Sequence, residues 1–282
     1  MPIASRAVLT LALVAIPVAT SVGGSPQTPA LARASFAWPQ RARAALSLTF
    51  DDARESQLDV GVPLLAEHET RVTFYLTAND LRGRGDAWKR AAAAGHELGN
   101  HTLVHPCSGN FPWARARALE DYTLDRMRTE LVEANRQIAA ATGVTPVTFA
   151  YPCGQAFVGR ADRVVSIVPL VHELFLAGRG WLDEGPNDPA FVDRAQLFGY
   201  PMDDVTFADL KPALDDATAR GQWLVLAGHD IGEGPGRQVT RVSMLRELLT
   251  YAKGPSRGVW VDTVSRVAEH VKRTEATRAV PK

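Results

Sequence analysis

Apolar, β-rich runs alternate with segments of helical period along most of this chain, and that alternation restricts its fold more than any other feature. A repeated strand–helix–strand order favours an α/β architecture with a parallel sheet and right-handed crossovers. Residues 44–50 (Ala-Ala-Leu-Ser-Leu-Thr-Phe) and 71–76 (Arg-Val-Thr-Phe-Tyr-Leu) read as strands, as do 146–151, 222–227 and 258–261. Helical spacing marks 119–142, where Leu124, Met127, Leu131, Ala134, Ile138 and Ala141 form one apolar stripe and Gly143 ends it. Further helices are expected over 56–68, shortened by Gly61 and Pro63; over 86–94, with Asp86 as N-cap and Gly95 past the end; over 210–220, with Pro212 in its first turn; and over 241–252 and 263–273. Residues 164–176 are apolar but contain Pro169, which leaves their type open, and 183–193 read as a polar surface loop. About seven such units within residues 41–275 suggest one barrel of parallel strands rather than an open sheet.

Composition narrows the class. The 282 residues are 46% hydrophobic and 22% charged, which is a globular balance. Lys+Arg and Asp+Glu are equal at 31 each, so no basic face argues for nucleic acid. The N-terminus differs: Arg6, an apolar run from 7 to 19, then Thr20, Ser21, Gly23 and Gly24 have the three-part form of a secretory signal peptide. The run is shorter than the ~20 residues that a membrane span needs. Cleavage is expected after Ser21 or Gly24, with Ala32 as a further option. Residues 1–24 therefore read as a signal peptide, 25–40 as a flexible leader and 276–282 as a tail. A secreted or periplasmic protein with no transmembrane span in its mature chain is expected. Oligomeric state is left open.

Three short motifs carry chemistry, and each closes or follows a strand-like run. Asp51 and Asp52 end the first strand. In a continuing strand they would face opposite ways, but at a turn one can bind a metal while the other reaches a water. His101 and His105 lie four residues apart, just before Pro106. His229 ends 224–228 and is placed to act as a general acid near neutral pH. Two imidazoles and a carboxylate suit a borderline metal such as zinc, with a position left for water. His96 reads as structural. The two cysteines, Cys107 and Cys153, both stand beside these motifs. A disulfide between them, tying two loops together, is the expectation; two free thiols and metal ligation are its rivals.

Together these motifs resemble the polysaccharide deacetylases, metal-dependent carbohydrate esterases that include chitin, peptidoglycan and acetylxylan deacetylases. The resemblance rests on Leu48-Thr49-Phe50-Asp51-Asp52 and on the run from Gly95 to His105, and extends over about residues 44–273. It implies a distorted (β/α) barrel with a divalent metal, zinc foremost, held by Asp52, His101 and His105. It implies Asp51 as catalytic base and His229 as catalytic acid, acting on an acetylated carbohydrate. The family's Arg-x-Pro-Tyr-Gly run aligns with 149–154, which makes Tyr151, Pro152 and Cys153 the oxyanion and substrate-binding segment, with the Cys153 backbone N–H as donor. Ala150 stands where the family has an arginine that orients the base; Arg54, Arg179 or another group is left to replace it. Trp181 matches the family's tryptophan motif.

Removal of N- or O-linked acetyl groups from a carbohydrate is therefore the expected activity. A non-catalytic carbohydrate-binding barrel and a metal-dependent hydrolase of a non-sugar amide are the alternatives. Trp113 and Phe111 are candidates for stacking on a sugar ring.

Overall fold

The computed structural model describes residues 36–278 except 82 and 235. The expected signal peptide, leader residues 25–35 and the end of the tail lie outside the described residues. The elements, separated by short 3-10 or π turns, are β1 (Ala44–Asp51), α1 (Val62–Glu67), β2 (Thr73–Leu76), α2 (Gly85–Ala93), β3 (Glu97–Asn100), α3 (Leu124–Thr142), β4 (Thr148–Ala150), β5 (Phe157–Val158), β6 (Val165–Ser166), α4 (Val168–Leu174), β7 (Ala177–Arg179), β8 (Tyr200–Pro201), α5 (Phe207–Arg220), β9 (Trp223–Gly228), β10 (Asp230–Gly232), β11 (Val239–Arg241), α6 (Val242–Ala252), β12 (Val259–Val261) and α7 (Val264–Arg278).

Eight strands form one sheet in the order β7-β4-β3-β2-β1-β9-β8, with β12 paired to β1, and every pairing is parallel. β7 and β8 are the ends of this order, and a parallel bridge from Arg179 to Leu197, just before β8, links them, so the strands make a distorted barrel around central β1. All eight residues of β1 are buried, as expected for a parallel strand covered on both faces. Leu46, Leu48 and Phe50 point to the main core with Leu64, Leu65, Phe74, Trp88, Leu224, Leu226, Leu245 and Leu248. Each such side chain contributes roughly 2 kcal/mol when removed from water. The other face of β1 carries Ser47, Thr49 and Asp51, which are also buried and point into the barrel's polar interior.

Helix ends follow local chemistry. Thr123 caps α3 by accepting from the N–H of Arg126 at 3.2 Å, and Gly143 ends it at φ 78°. Three helix starts differ from the sequence reading. α3 begins at Leu124 rather than 119, because Thr123 caps it there and residues 119–121 form a separate 3-10 turn. α2 starts at Gly85, so Asp86 sits inside the first turn and Arg84 occupies the cap. α5 starts at Phe207, earlier than expected, because Thr206 and Asp209 form a capping box; Pro212 is therefore inside the helix rather than in its first turn. The open segment 164–176 resolves into β6 and α4, with Pro169 in the first turn of α4, where its missing N–H costs little.

Phe36 and Trp38 correct the leader boundary. Both are buried against Val264, Val267, Ala268 and Val271 of α7, and the Trp38 indole donates to the carbonyl of Gly221 at 3.0 Å. Residues 36–40 belong to the packed body because two aromatic rings supply enough apolar surface to hold them there. Among the described residues no helix is long and apolar enough to cross a membrane.

Candidate active site

The sequence motifs converge at the C-terminal ends of β1, β3, β4, β7 and β9. There they line a cavity of about 730 Å³ with Arg54, Asp80, Trp113, Arg117, Trp181, Asp230 and Gln238. That is the size of a small-molecule or oligosaccharide cleft. Asp51, Asp52, His101, His105, Cys153 and His229 all border it.

Asp52, His101 and His105 come together as one group whose ligand atoms lie within 4.8 Å of one another. One Asp52 oxygen is 3.5 Å from His101 Nε2 and 3.6 Å from His105 Nε2. His101 Nδ1 lies 2.9 Å from the carbonyl of Ala150. A carbonyl only accepts, so Nδ1 carries the proton and Nε2 keeps its lone pair toward the cavity. Burial and the neighbouring His101 charge push the His105 imidazole down to about 4, which keeps it neutral at ordinary pH. Burial alone would raise Asp52, but His101, His105, His229 and Arg54 together hold it at about 2. Its second oxygen accepts from Arg54 at 3.0 Å. An ionised carboxylate and two imidazoles with inward lone pairs fit a divalent cation in number, charge and donor type.

Backbone shape puts these groups in place. Asp52 (φ 76°), Thr102 (φ 67°), His105 (φ 52°) and Cys153 (φ 54°) occupy the left-handed region, which costs non-glycine residues of order 1 kcal/mol or more each. The histidine loop is held by specific bonds. Asn100 Oδ1 accepts from Thr102 N–H at 2.7 Å, Thr102 Oγ1 from His105 N–H at 2.9 Å, and Glu130 on α3 from the N–H groups of Leu103 (3.2 Å) and Val104 (3.0 Å).

Asp51 is held separately. It is buried, and one oxygen accepts a short charged bond from Arg179 on β7, while the other lies 3.9 Å from His101 Nε2. Arg179 is fully buried and lies over the ring of Tyr75 at 5.0 Å. β4 and β7 pair in the register Ala150↔Arg179. The guanidinium absent at Ala150 is thus supplied from the directly paired position on the next strand. Arg54, the other named candidate, is taken by Asp52 and Asp230, the latter at 2.5 Å. β7 itself was missed in the sequence, because Ala-Gly-Arg has no β-branched or aromatic residue to mark it.

His229 is the third independently held group. Its Nδ1 lies 2.6 Å from Asp203 Oδ2, and Asp203 Oδ1 accepts from the His229 N–H at 3.0 Å and from Thr240 Oγ1 at 2.6 Å. Burial would lower its pKa, but the Asp203 hydrogen bond and the charges of Asp51 and Asp52 raise it above the ordinary value. Nε2 faces the cavity, 4.0 Å from Asp52, and Trp181 presents its ring edge-on to the imidazole at 4.8 Å between centroids. Gly228 is required beneath it. A Cβ there would collide with Thr240 Oγ1 and lie 2.8 Å from Asp203 Oδ1, so a side chain would displace the carboxylate. Gln57 Nε2 then ties the two halves by donating to the carbonyls of Asp51 (2.5 Å) and His229 (3.1 Å).

Several sequence expectations change. Tyr151 and Pro152 are buried outside the cavity lining, and the Tyr151 hydroxyl donates to the carbonyl of Ala195 at 2.8 Å. The chain turns at Cys153, so only that residue of the three reaches the site. The expected disulfide between Cys107 and Cys153 is present, which leaves neither sulfur free to ligate. Asp203, Gln57 and Glu130 carried no motif. Asp203 follows a two-residue strand, and nothing local separates it from Asp204. His96 is structural as expected: it is buried, pushed down to about 4 chiefly by that burial, and its Nδ1 accepts from the Val72 N–H at 3.2 Å.

Comparison with known proteins agrees with this geometry. The polysaccharide deacetylase family model matches residues 39–167. A chitooligosaccharide deacetylase of Rhizobium leguminosarum bv. trifolii is 37% identical over 60 residues, 21% of this chain and 28% of that one. A peptidoglycan-N-acetylglucosamine deacetylase of Bacillus cereus is 25% identical over 114 residues, 40% of this chain and 38% of that one. An uncharacterized protein of Bacillus subtilis, YlxY, is 33% identical over 97 residues, 34% of this chain and 27% of that one. The matches thus span well under half of each relative. A Mycobacterium smegmatis structure assigned to the polysaccharide deacetylases superimposes with a TM-score of 0.62 at 21% identity, over 88% of this chain and 96% of that one. PuuE allantoinase superimposes with a TM-score of 0.58 at 17% identity, over 84% and 93%. The barrel is shared by both. The matched region, residues 39–167, contains Asp51, Asp52, His101 and His105, so the part of the chain that carries these groups is similar to the polysaccharide deacetylases.

Proposed function

We propose that this protein is a zinc-dependent hydrolase that removes acetyl groups from a carbohydrate. The observation that carries the reading is the meeting of three separately supported groups in one cavity: the Asp52–His101–His105 donor set, Asp51 held by Arg179, and His229 held by Asp203. The mixed nitrogen and oxygen donor set supports zinc. A zinc ion at this set supplies Lewis acidity, polarising the acetyl carbonyl and lowering the pKa of water.

Asp51 takes the proton of the attacking water as its oxygen bonds to the acetyl carbon. Arg179 fixes the carboxylate so that its free oxygen faces the reacting water. The Cys153 N–H, at the cavity edge, donates to the oxygen that gains charge. His229 carries a proton on Nε2 and passes it to the leaving nitrogen or oxygen as the acyl bond breaks. The Asp203 hydrogen bond and the charges of Asp51 and Asp52 outweigh burial and raise its pKa, which favours that proton. Acetate and the freed amine or alcohol leave. Phe111 and Trp113 stack at 5.6 Å beside His105 and are both solvent-exposed, which offers a platform for a sugar ring.

The N-terminal pattern and the disulfide support action outside the cytoplasm. A non-sugar amide is the second reading, supported by the allantoinase that shares the fold. Product analysis after incubation with N-acetylglucosamine oligomers and with acetylated xylan decides between them. Acetate from either polymer is expected, and the preferred one distinguishes amide from ester. Release from small cyclic amides but from neither polymer would overturn the sugar assignment.

A further inference from the structure

His105 belongs to two sets of metal-binding atoms. Its Nε2 faces Asp52, and its Nδ1 lies 3.6 Å from Cys107 Sγ; the ligand atoms of His105, Cys107 and Cys153 also all fall within 4.8 Å of one another. In the structure the two sulfurs bond to each other, and a disulfide sulfur is not the thiolate that a metal takes as ligand.

We propose that opening this bridge creates a second metal site, Cys107–Cys153–His105, which competes with Asp52–His101–His105 for the shared imidazole. A neutral imidazole has one lone pair. Ligation through Nδ1 moves the proton to Nε2 and removes His105 from the Asp52 set. The two sites therefore exclude each other at this ring. Two thiolates and an imidazole are the softer set and suit zinc or cobalt, with a fourth position for water. Cys153 borders the cavity and is half-buried, so a small reductant reaches it, whereas Cys107 is fully buried behind it. The bridge thus selects where the metal sits. This rests on the metal-site part of the proposed function and is independent of its substrate.

The opening step is ordinary phosphine reduction. The S–S bond breaks, the phosphine takes oxygen from one water to become its oxide, and each sulfur receives one of that water's protons. Metal binding then releases these two protons to buffer.

The test uses the full chain, stripped of metal and loaded with one equivalent of cobalt(II). Its absorption spectrum is recorded before and after anaerobic reduction with excess phosphine, and free thiols are counted. The oxidised protein is expected to show no thiolate-to-cobalt charge transfer. Reduction to two thiols is expected to add that band, and reoxidation to remove it. The double variant Cys107→Ser/Cys153→Ser is expected to show no band in either condition. A reduced protein with two counted thiols and no band overturns the proposal, as does a band that persists in the double variant. A bridge that excess phosphine cannot open overturns it equally, because the site then never forms. The spectrum needs no substrate, so failure of acetate release leaves this test standing.

Discussion

The strand ends from β1 to β3 and the segment from β7 to β9 build the two halves of this site in opposite ways. In the first, the functional groups stand in consecutive or near-consecutive positions, Asp51 and Asp52, then His101 and His105, and much of their support is local. Asn100 and Thr102 hold the histidine loop from within it, and Glu130 adds two bonds from α3. In the second, the groups that matter are orienting partners brought from a distance. Arg179 reaches Asp51 across 128 positions, and Asp203 reaches His229 across 26. Ligands need fixed residue types at fixed spacing. An orienting charge needs only to end up in the right place, and a neighbouring strand can deliver it.

That contrast yields graded predictions. The largest effect belongs to Asp51→Asn, which leaves the donor set intact but removes the carboxylate proposed as base. Turnover should fall by about 10²–10⁴-fold with metal content unchanged, read by parallel rate and metal analysis. Loss of metal along with activity would mean that Asp51 is a ligand.

Arg179→Ala leaves a buried carboxylate without its partner and should cost about 3–5 kcal/mol of stability in denaturant unfolding, with loss of activity. Because Ala150 and Arg179 are paired in register, Ala150→Arg/Arg179→Ala should recover part of both. No recovery would show that strand position matters beyond charge delivery.

His96 tests the structural side of the first half. Burial depresses its folded pKa to about 4 from 6.5. The native state therefore binds fewer protons than the unfolded chain between these values. Its contribution is present above pH 6.5 and is lost as pH falls toward 4, roughly 3 kcal/mol in all. His96→Gln should flatten that part of the stability–pH curve.

Asp203→Asn should lower turnover about ten- to a hundred-fold, the range for an outer orienting partner. It also removes the hydrogen bond that raises His229, so the alkaline limb of the rate profile should move to lower pH. An unmoved limb would remove His229 as the acid. Thr123→Ala is the smallest: about 1 kcal/mol of stability for the lost cap of α3, with the catalytic rate kept.

The same contrast explains what the sequence revealed. Strong strands such as 44–50 and 222–227, and the stripe of α3, were legible because burial on a sheet or a helix face imposes a period. The Asp52–His101–His105 donor group was legible through its motifs. The two- and three-residue strands β7 and β8 were not, since so short a run shows no period, and Arg179 and Asp203 lie at their ends. Tyr151 and Pro152 misled for a related reason: alignment to a motif places a residue along the chain, and the turn at Cys153 then decides which side chains face the cavity.

The most direct test of the central claim is acetate release from N-acetylglucosamine oligomers as zinc is returned to the stripped protein. No release is expected without metal, and the rate should rise to a plateau at one zinc per chain, with Asp51→Asn binding the same zinc and releasing almost nothing. Release that survives metal stripping, or full turnover by Asp51→Asn, would contradict that claim.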